Sequence, residues 1–149
     1  MKKPNTSPDR PDLFASLFKN GKVNCILILD EHGRILHANE AFKTTFGFSD
    51  ADIAGKHFRM LFTEQDQRAL RPEMELSLVK KQGFSTDQNY TMHKNGQPIW
   101  VSGESVWVEN SEEGNCIVKL IQNIHAQKLQ EKFLKETNEF SHTIFGTIE

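Results

Sequence analysis

GQPIWVSGESVWVENSEEGNCIVKLIQNI, residues 96–124, reads as two runs rich in Val, Ile and Trp around a polar, glycine-bearing connection at 110–115. That is the sequence form of a long β-hairpin. Successive side chains of a strand point to opposite faces, so Ile99, Val101, Gly103, Ser105 and Trp107 share one face and Trp100, Ser102, Glu104, Val106 and Val108 the other. Both faces carry large apolar residues, which makes the hairpin central and covered on both sides. One face also has two small residues in succession, Gly103 and Ser105, where a core strand would present bulk. A small residue there marks close approach of another backbone or of a ligand.

Upstream, residues 24–30 form an apolar run with Cys25, Leu27 and Leu29 on one face and Ile26 and Ile28 on the other, followed by a turn at 31–33 and a second short strand. Asn39 then caps a helix that carries Phe42 and Phe46 at i, i+4 and stops at Gly47. Ser49 and Thr63 cap two further short turns. Pro72 suits a first helical turn, so the next helix starts there and ends at Gly83, with Met74, Leu76, Leu78 and Val79 as its buried side. A polar strand, residues 84–92, leads through the turn at 94–96 into the hairpin. The order strand, strand, short helices, three strands predicts an α+β fold, with helices gathered on one face of an antiparallel sheet.

Domain boundaries follow: a tail and capping helix over 1–21, a domain over 22–125, and a linking helix over 126–149. In the first, Leu13, Phe14, Leu17 and Phe18 make an apolar stripe; in the last, Leu129, Phe133, Phe140, Ile144 and Ile148 recur at helical spacing. That helix leaves the domain, and its unfinished pattern suggests a piece of a longer chain.

With 149 residues the chain is one domain able to bury a core, and a formal charge of −2 argues against nucleic acid as a partner. No apolar run approaches the roughly 20 residues that span a bilayer, and the polar start lacks a signal-peptide core. A cytoplasmic protein without membrane contact by this segment is expected, with Cys25 and Cys116 reduced, buried and at opposite ends of neighbouring strands.

The ordered pieces Ile28-Leu29-Asp30, 33–42, 46–49, Gly55-Lys56, 61–66, 94–96, Trp100 and 123–125 together resemble a PAS domain, over about residues 22–128. Residues 72–76, the step from Trp100 to Gly103, and Lys119 resemble a bacterial subgroup that often precedes histidine kinases. Gln122-Asn123 stands where that subgroup has Arg-Asp, so the family's salt bridge from that Asp to the exit helix is not expected here. The resemblance implies a five-stranded antiparallel sheet with one face turned to a small cavity. Thr91, Val101, Gly103, Ser105 and Ile121 would face it, with Leu29, Asn39, Phe46, Leu61 and Val79 completing the ligand-facing set. Trp100, Val106 and Val108 would face outward beneath terminal helices. Leu13, Phe14, Leu17, Phe18, Leu129 and Phe133 would join Trp100 and Val106 in a homodimer interface.

Whether the inner face holds a small organic ligand or is filled by Phe42, Phe46, Phe58, Met60 and Phe62 stays open. Lys119 shares parity with Ile117 and Ile121, so an unbroken strand would bury it, and a buried lysine needs an acidic partner or an anionic ligand. A bulge, or a stem reaching to the rim, is the expected outcome. Light-sensing flavin domains of the family carry an adduct-forming Cys, and 55–62 has none. Haem-binding relatives place an axial His on the long helix, and 69–82 has none. The six histidines lack ligand spacing for zinc. The segment 140–144, FSHTI, resembles a phosphoacceptor box, but Thr143 stands where an acid is required. An isomerase of this shape would need an inward Asp or Tyr, and the inward strand positions are expected to offer neither. The expectation is a non-enzymatic sensory and dimerisation module with its own downstream output domain; a ligand-free structural interaction domain is the alternative.

Overall fold

The computed structural model describes Ser16, Phe18 and residues 24–146, with the side chains of 139–146 outside the description. The chain runs β1 (Cys25–Asp30), β2 (Ile35–Ala38), α1 (Glu40–Phe46), α2 (Asp50–Ile53), a 3-10 turn (Phe58–Leu61), α3 (Glu64–Arg68) and α4 (Arg71–Gln82). It continues through β3 (Phe84–Met92), β4 (Pro98–Ser111), β5 (Gly114–Asn123) and α5 (His125–Gly146). The five strands form one antiparallel sheet in the order β2-β1-β5-β4-β3. The expected hairpin is its centre, with strands two residues longer into the connection than the polar stretch suggested.

Alternation decides which side is buried. Leu27, Leu29, Val101, Ile117 and Ile121 pack inward against Phe42, Phe46, Phe58 and Ile53 from the helical layer, all nearly inaccessible. Fully burying such side chains stabilises by roughly 1.5–3 kcal/mol each. Cys25 lies opposite Ile121 and Cys116 opposite Asp30, so the two thiols sit at opposite ends of the β1–β5 pair, and both are free.

Asn39 joins the layers. Its side-chain oxygen accepts from the N–H of Phe42 at 3.0 Å, capping α1, and from that of Ile26 on β1 at 2.9 Å. Its amide donates to the Asn24 carbonyl at 2.9 Å. Gly47 closes α1 at φ 79, in the left-handed region, and a Cβ there would stand 2.6 Å from the His93 ring. Ser49 and Asp52 cap α2 reciprocally, and Lys94 in the β3–β4 turn reaches Asp52 at 2.9 Å.

The face that α4 buries differs from the expected one. Met74 and Leu78 are 65% and 44% exposed, whereas Pro72, Glu75, Leu76 and Val79 turn toward the sheet. The helix starts one residue earlier than Pro72 marks it, after Leu70 in the left-handed region at φ 59. Its inward row therefore follows 72, 75, 76 and 79, a spacing of three and four residues that places a carboxylate inside.

Phe18 is helical and half-buried; Leu13, Phe14 and Leu17 lie outside the described residues. On α5, Leu129 and Phe133, expected at an interface, are 55% and 67% exposed.

Asn39→Ala should destabilise by about 2–4 kcal/mol, since it removes a helix cap and strands a buried Ile26 N–H; urea unfolding measures this. The Asp52 carboxyl is lowered to about 2, first by the Ser49 backbone hydrogen bond and then by Lys94. A depressed carboxylate stabilises above its ordinary value of 3.8 and ceases to as pH falls through 2. Asp52→Asn should lower the urea midpoint at neutral pH, with the gap to the parent closing on acidification across that window.

Candidate inner-face site

Three rows of paired residues cross β3, β4 and β5 on the inner face. Ser85 lies opposite Ser105, which lies opposite Lys119; beside it run Asp87, Gly103 and Ile121; beyond that, Asn89 and Val101. From the edge strand β3 to the central strand β5, the first row thus carries two hydroxyls and an ammonium where aliphatic side chains would ordinarily stand.

Lys119 does not reach the rim. No bulge interrupts β5 at its position, and the side chain is 8% exposed. Its Nζ donates to both carboxylate oxygens of Glu75 on α4, at 2.8 and 2.9 Å, and Glu75 is itself 11% exposed. The Phe58 and Phe62 rings flank the ammonium with centroids at 5.7 and 5.8 Å. Desolvating an ammonium costs several kcal/mol; a bidentate carboxylate and two ring faces offset that cost and permit burial. Glu75 was absent from the expected site residues. The available signal was its position three residues after Pro72 and four before Val79, on the face that packs.

Asp87 is the second departure. It occupies the inner row at the sheet edge, where no acid was expected, and it is neutralised there: Arg71 of α4 donates to Asp87 from Nη2 at 2.7 Å and from Nε at 3.2 Å. That pairing raises the Arg71 pKa above its ordinary value. Two ion pairs therefore bind α4 to the sheet, one at its edge and one at its centre.

A cleft of about 250 Å³ opens between α4 and β3, lined by Arg71, Met74, Glu75, Leu78, Ser85, Thr86 and Asp87. Behind it the hydroxyls of Ser85 and Ser105, on residues 3% and 1% exposed, have no hydrogen-bond partner among the described residues. An unpaired buried hydroxyl costs roughly 1–3 kcal/mol, so this row is polar without being satisfied.

All ten residues of the expected ligand-facing set are buried. Val101, Gly103, Ser105, Thr91 and Ile121 hold the inner parity of the sheet, and Leu29, Phe46, Leu61 and Val79 belong to the core around it. Asn39 is fully engaged in joining β1 to α1. A Cβ on Gly103 would make ordinary contacts only, with the Asp87 carbonyl at 3.8 Å and Lys119 Nζ at 3.9 Å. Phe42, Phe46, Phe58 and Phe62 fill the layer beside the polar row. Of the expected interface residues, Trp100 is half-buried on the outer face and Val106 is 37% exposed.

At the exit, the Asn123 side chain accepts from the N–H of His125, the first residue of α5, at 2.9 Å. The Trp100 carbonyl accepts from Ile124 N–H at 3.0 Å, and Trp100 N–H donates to His125 Nδ1 at 3.2 Å. Tyr90 packs on the Trp100 ring with centroids 4.1 Å apart, and Lys128 lies 5.9 Å from it.

Glu75→Leu alone should destabilise by about 3–5 kcal/mol by leaving a buried ammonium unpaired, whereas Glu75→Leu with Lys119→Met should return stability to near the parent's; a double-mutant denaturation cycle measures both. Gly103→Ala should change stability by less than about 0.5 kcal/mol, because its methyl makes only ordinary contacts.

The PAS domain family matches residues 23–126. The sensor histidine kinase TmoS of Ectopseudomonas mendocina is 26% identical over 129 residues, covering 85% of this chain and 13% of that protein. Two-component system protein A of Emericella nidulans is 24% identical over 91 residues, again 13% of its length. The chain thus spans about an eighth of these curated relatives. The crystal structure of a PAS domain from Colwellia psychrerythraea superposes with a TM-score of 0.67 at 22% identity, covering 76% of this chain and 95% of that one. A family match over the whole sheet and its helical layer places this chain in the PAS domain family.

Proposed function

We propose that this chain is a sensory and dimerisation module of a larger cytoplasmic signalling protein, relaying the state of its inner face through the sheet to the C-terminal helix and on to an output domain such as a histidine kinase. One observation carries this reading: the exit helix is hydrogen-bonded to β4. Trp100 holds Ile124 and His125 through its own backbone N–H and carbonyl, and the next residue, Val101, already faces the core. A shift of β4 caused on the inner face is therefore delivered to the first turn of α5 one residue away.

A relay needs two arrangements whose balance a ligand or partner biases by a few kcal/mol. The outer face supports the dimerisation half of the reading. It carries the Tyr90–Trp100 pair, and a groove of about 550 Å³ in which Ile28, Val108, Cys116 and Val118 stand with His37, Ser111, Glu112 and Glu113. An apolar, concave sheet face suits an amphipathic helix, whether the chain's own or that of a second copy.

The second reading, a ligand-free scaffold that sets dimer geometry, is favoured by the four phenylalanines and the ion pair that occupy the inner layer. Native mass spectrometry of the purified protein with an absorbance scan separates the two: a retained small molecule supports sensing, and an empty, dimeric protein supports scaffolding. Trp100→Ala should weaken dimerisation or docking of α5 by about tenfold while leaving any bound molecule in place; analytical ultracentrifugation and hydrogen exchange across α5 measure it. Loss of the bound molecule with the dimer intact would overturn the assignment of Trp100 to the outer relay.

A further inference from the structure

We propose that the cleft between α4 and β3 admits a small amphiphilic carboxylate, which takes the place of the Glu75 side chain on the Lys119 ammonium. This rests on the sensory reading above and names its ligand class.

Ser85 lines the cleft and is 3% exposed, with its hydroxyl unpaired among the described residues; Ser105 and then Lys119 follow it across the sheet. The cleft thus reaches the first of three donors in a row, Ser85, with Ser105 and Lys119 behind it. Glu75 satisfies one of them with both its oxygens, at 2.8 and 2.9 Å. An incoming carboxylate of independent orientation reaches Lys119 with one oxygen and a serine hydroxyl with the other.

Charge conservation selects the class. Breaking the Lys119–Glu75 pair with a neutral molecule leaves a buried ammonium uncompensated, which is strongly unfavourable. Exchanging one carboxylate for another keeps the ammonium paired throughout. Glu75 already lines the cleft, so its side chain has a path to water as the ligand arrives. Arg71, the other cation at this cleft, is occupied by two hydrogen bonds to Asp87.

The mouth selects the tail. Met74 and Leu78, 65% and 44% exposed, stand over this polar floor. A cleft of about 250 Å³ lies below the roughly 300–1,000 Å³ of drug-sized sites, so the tail is a short chain or a single ring. Because Glu75 belongs to α4, the exchange also releases the central tie between that helix and the sheet.

The test uses the whole chain, with butyrate and benzoate as probes and butyramide and benzamide as neutral matches, followed by thermal unfolding and calorimetric titration. At about a hundredfold excess over Kd the carboxylates should raise Tm by about 5–10 °C, and the amides should not. Ser85→Ala, which leaves the ion pair intact, should weaken benzoate about tenfold. Glu75→Gln should bind benzoate more tightly than the parent or, if it unfolds alone, regain its fold when benzoate is added. Amides matching the carboxylates, or Ser85→Ala binding benzoate as the parent does, would overturn the carboxylate site and leave the sensory reading in place. No binding by either class, with no small molecule in the native mass spectrum, would overturn both.

Discussion

A lysine at the centre of a sheet's inner face constrains everything that packs over it. Unpaired, the Lys119 ammonium would cost more than any single apolar contact in this core returns, so the layer above must bring a carboxylate to that point and no other. Helix α4 does so through Glu75. That requirement sets the helix's rotation, turns Pro72 and Val79 inward, and leaves Met74 and Leu78 in water. The Arg71–Asp87 pair repeats the arrangement at the sheet edge. Helix and sheet are therefore joined by charge as well as by burial, and charge fixes orientation where greasy contact alone would tolerate sliding.

The same construction gives the domain an inside that differs from its outside in kind. Inside, a polar row of Ser85, Ser105 and Lys119 runs beneath phenylalanines; outside, Tyr90 packs on Trp100 toward one end of β4 and a groove around Val108, Cys116 and Val118 opens toward the other. The strand that separates them, β4, is bonded through Trp100 to the first residues of the exit helix. In the proposed relay, a change in the inner row would act on the strand that also carries the outer face and the bonds to α5. A separate wire between the sites is not required, because a single strand belongs to both.

Much of this was legible in the order of residues. Alternation along 99–107 put Val101, Gly103 and Ser105 on one face, which the family resemblance implied was the inner one, and the caps at Asn39, Ser49 and Thr63 and the stops at Gly47 and Gly83 located the helices to within a residue. The resemblance carried by the motifs from 28 to 125 supplied the family, and the strands pair as it implied. The opposed positions of Cys25 and Cys116 followed from strand order alone.

Local rules determined where strands, turns and helices begin, because propensity, capping and face alternation act over a few residues. They could not determine how far α4 is rolled about its axis, since its apolar residues at 74, 76, 78 and 79 do not define one stripe. That choice was decided by the tertiary structure: Glu75 and Lys119 are 44 residues apart along the chain, and only folding brings them within 2.8 Å. The inward side of Asp87 and the burial of Lys119 were both open to parity, through Thr91 on one strand and Ile117 and Ile121 on the other; that Arg71 and Glu75 would meet them was not. The sequence says that a buried charge needs a partner, but distance through space selects which one.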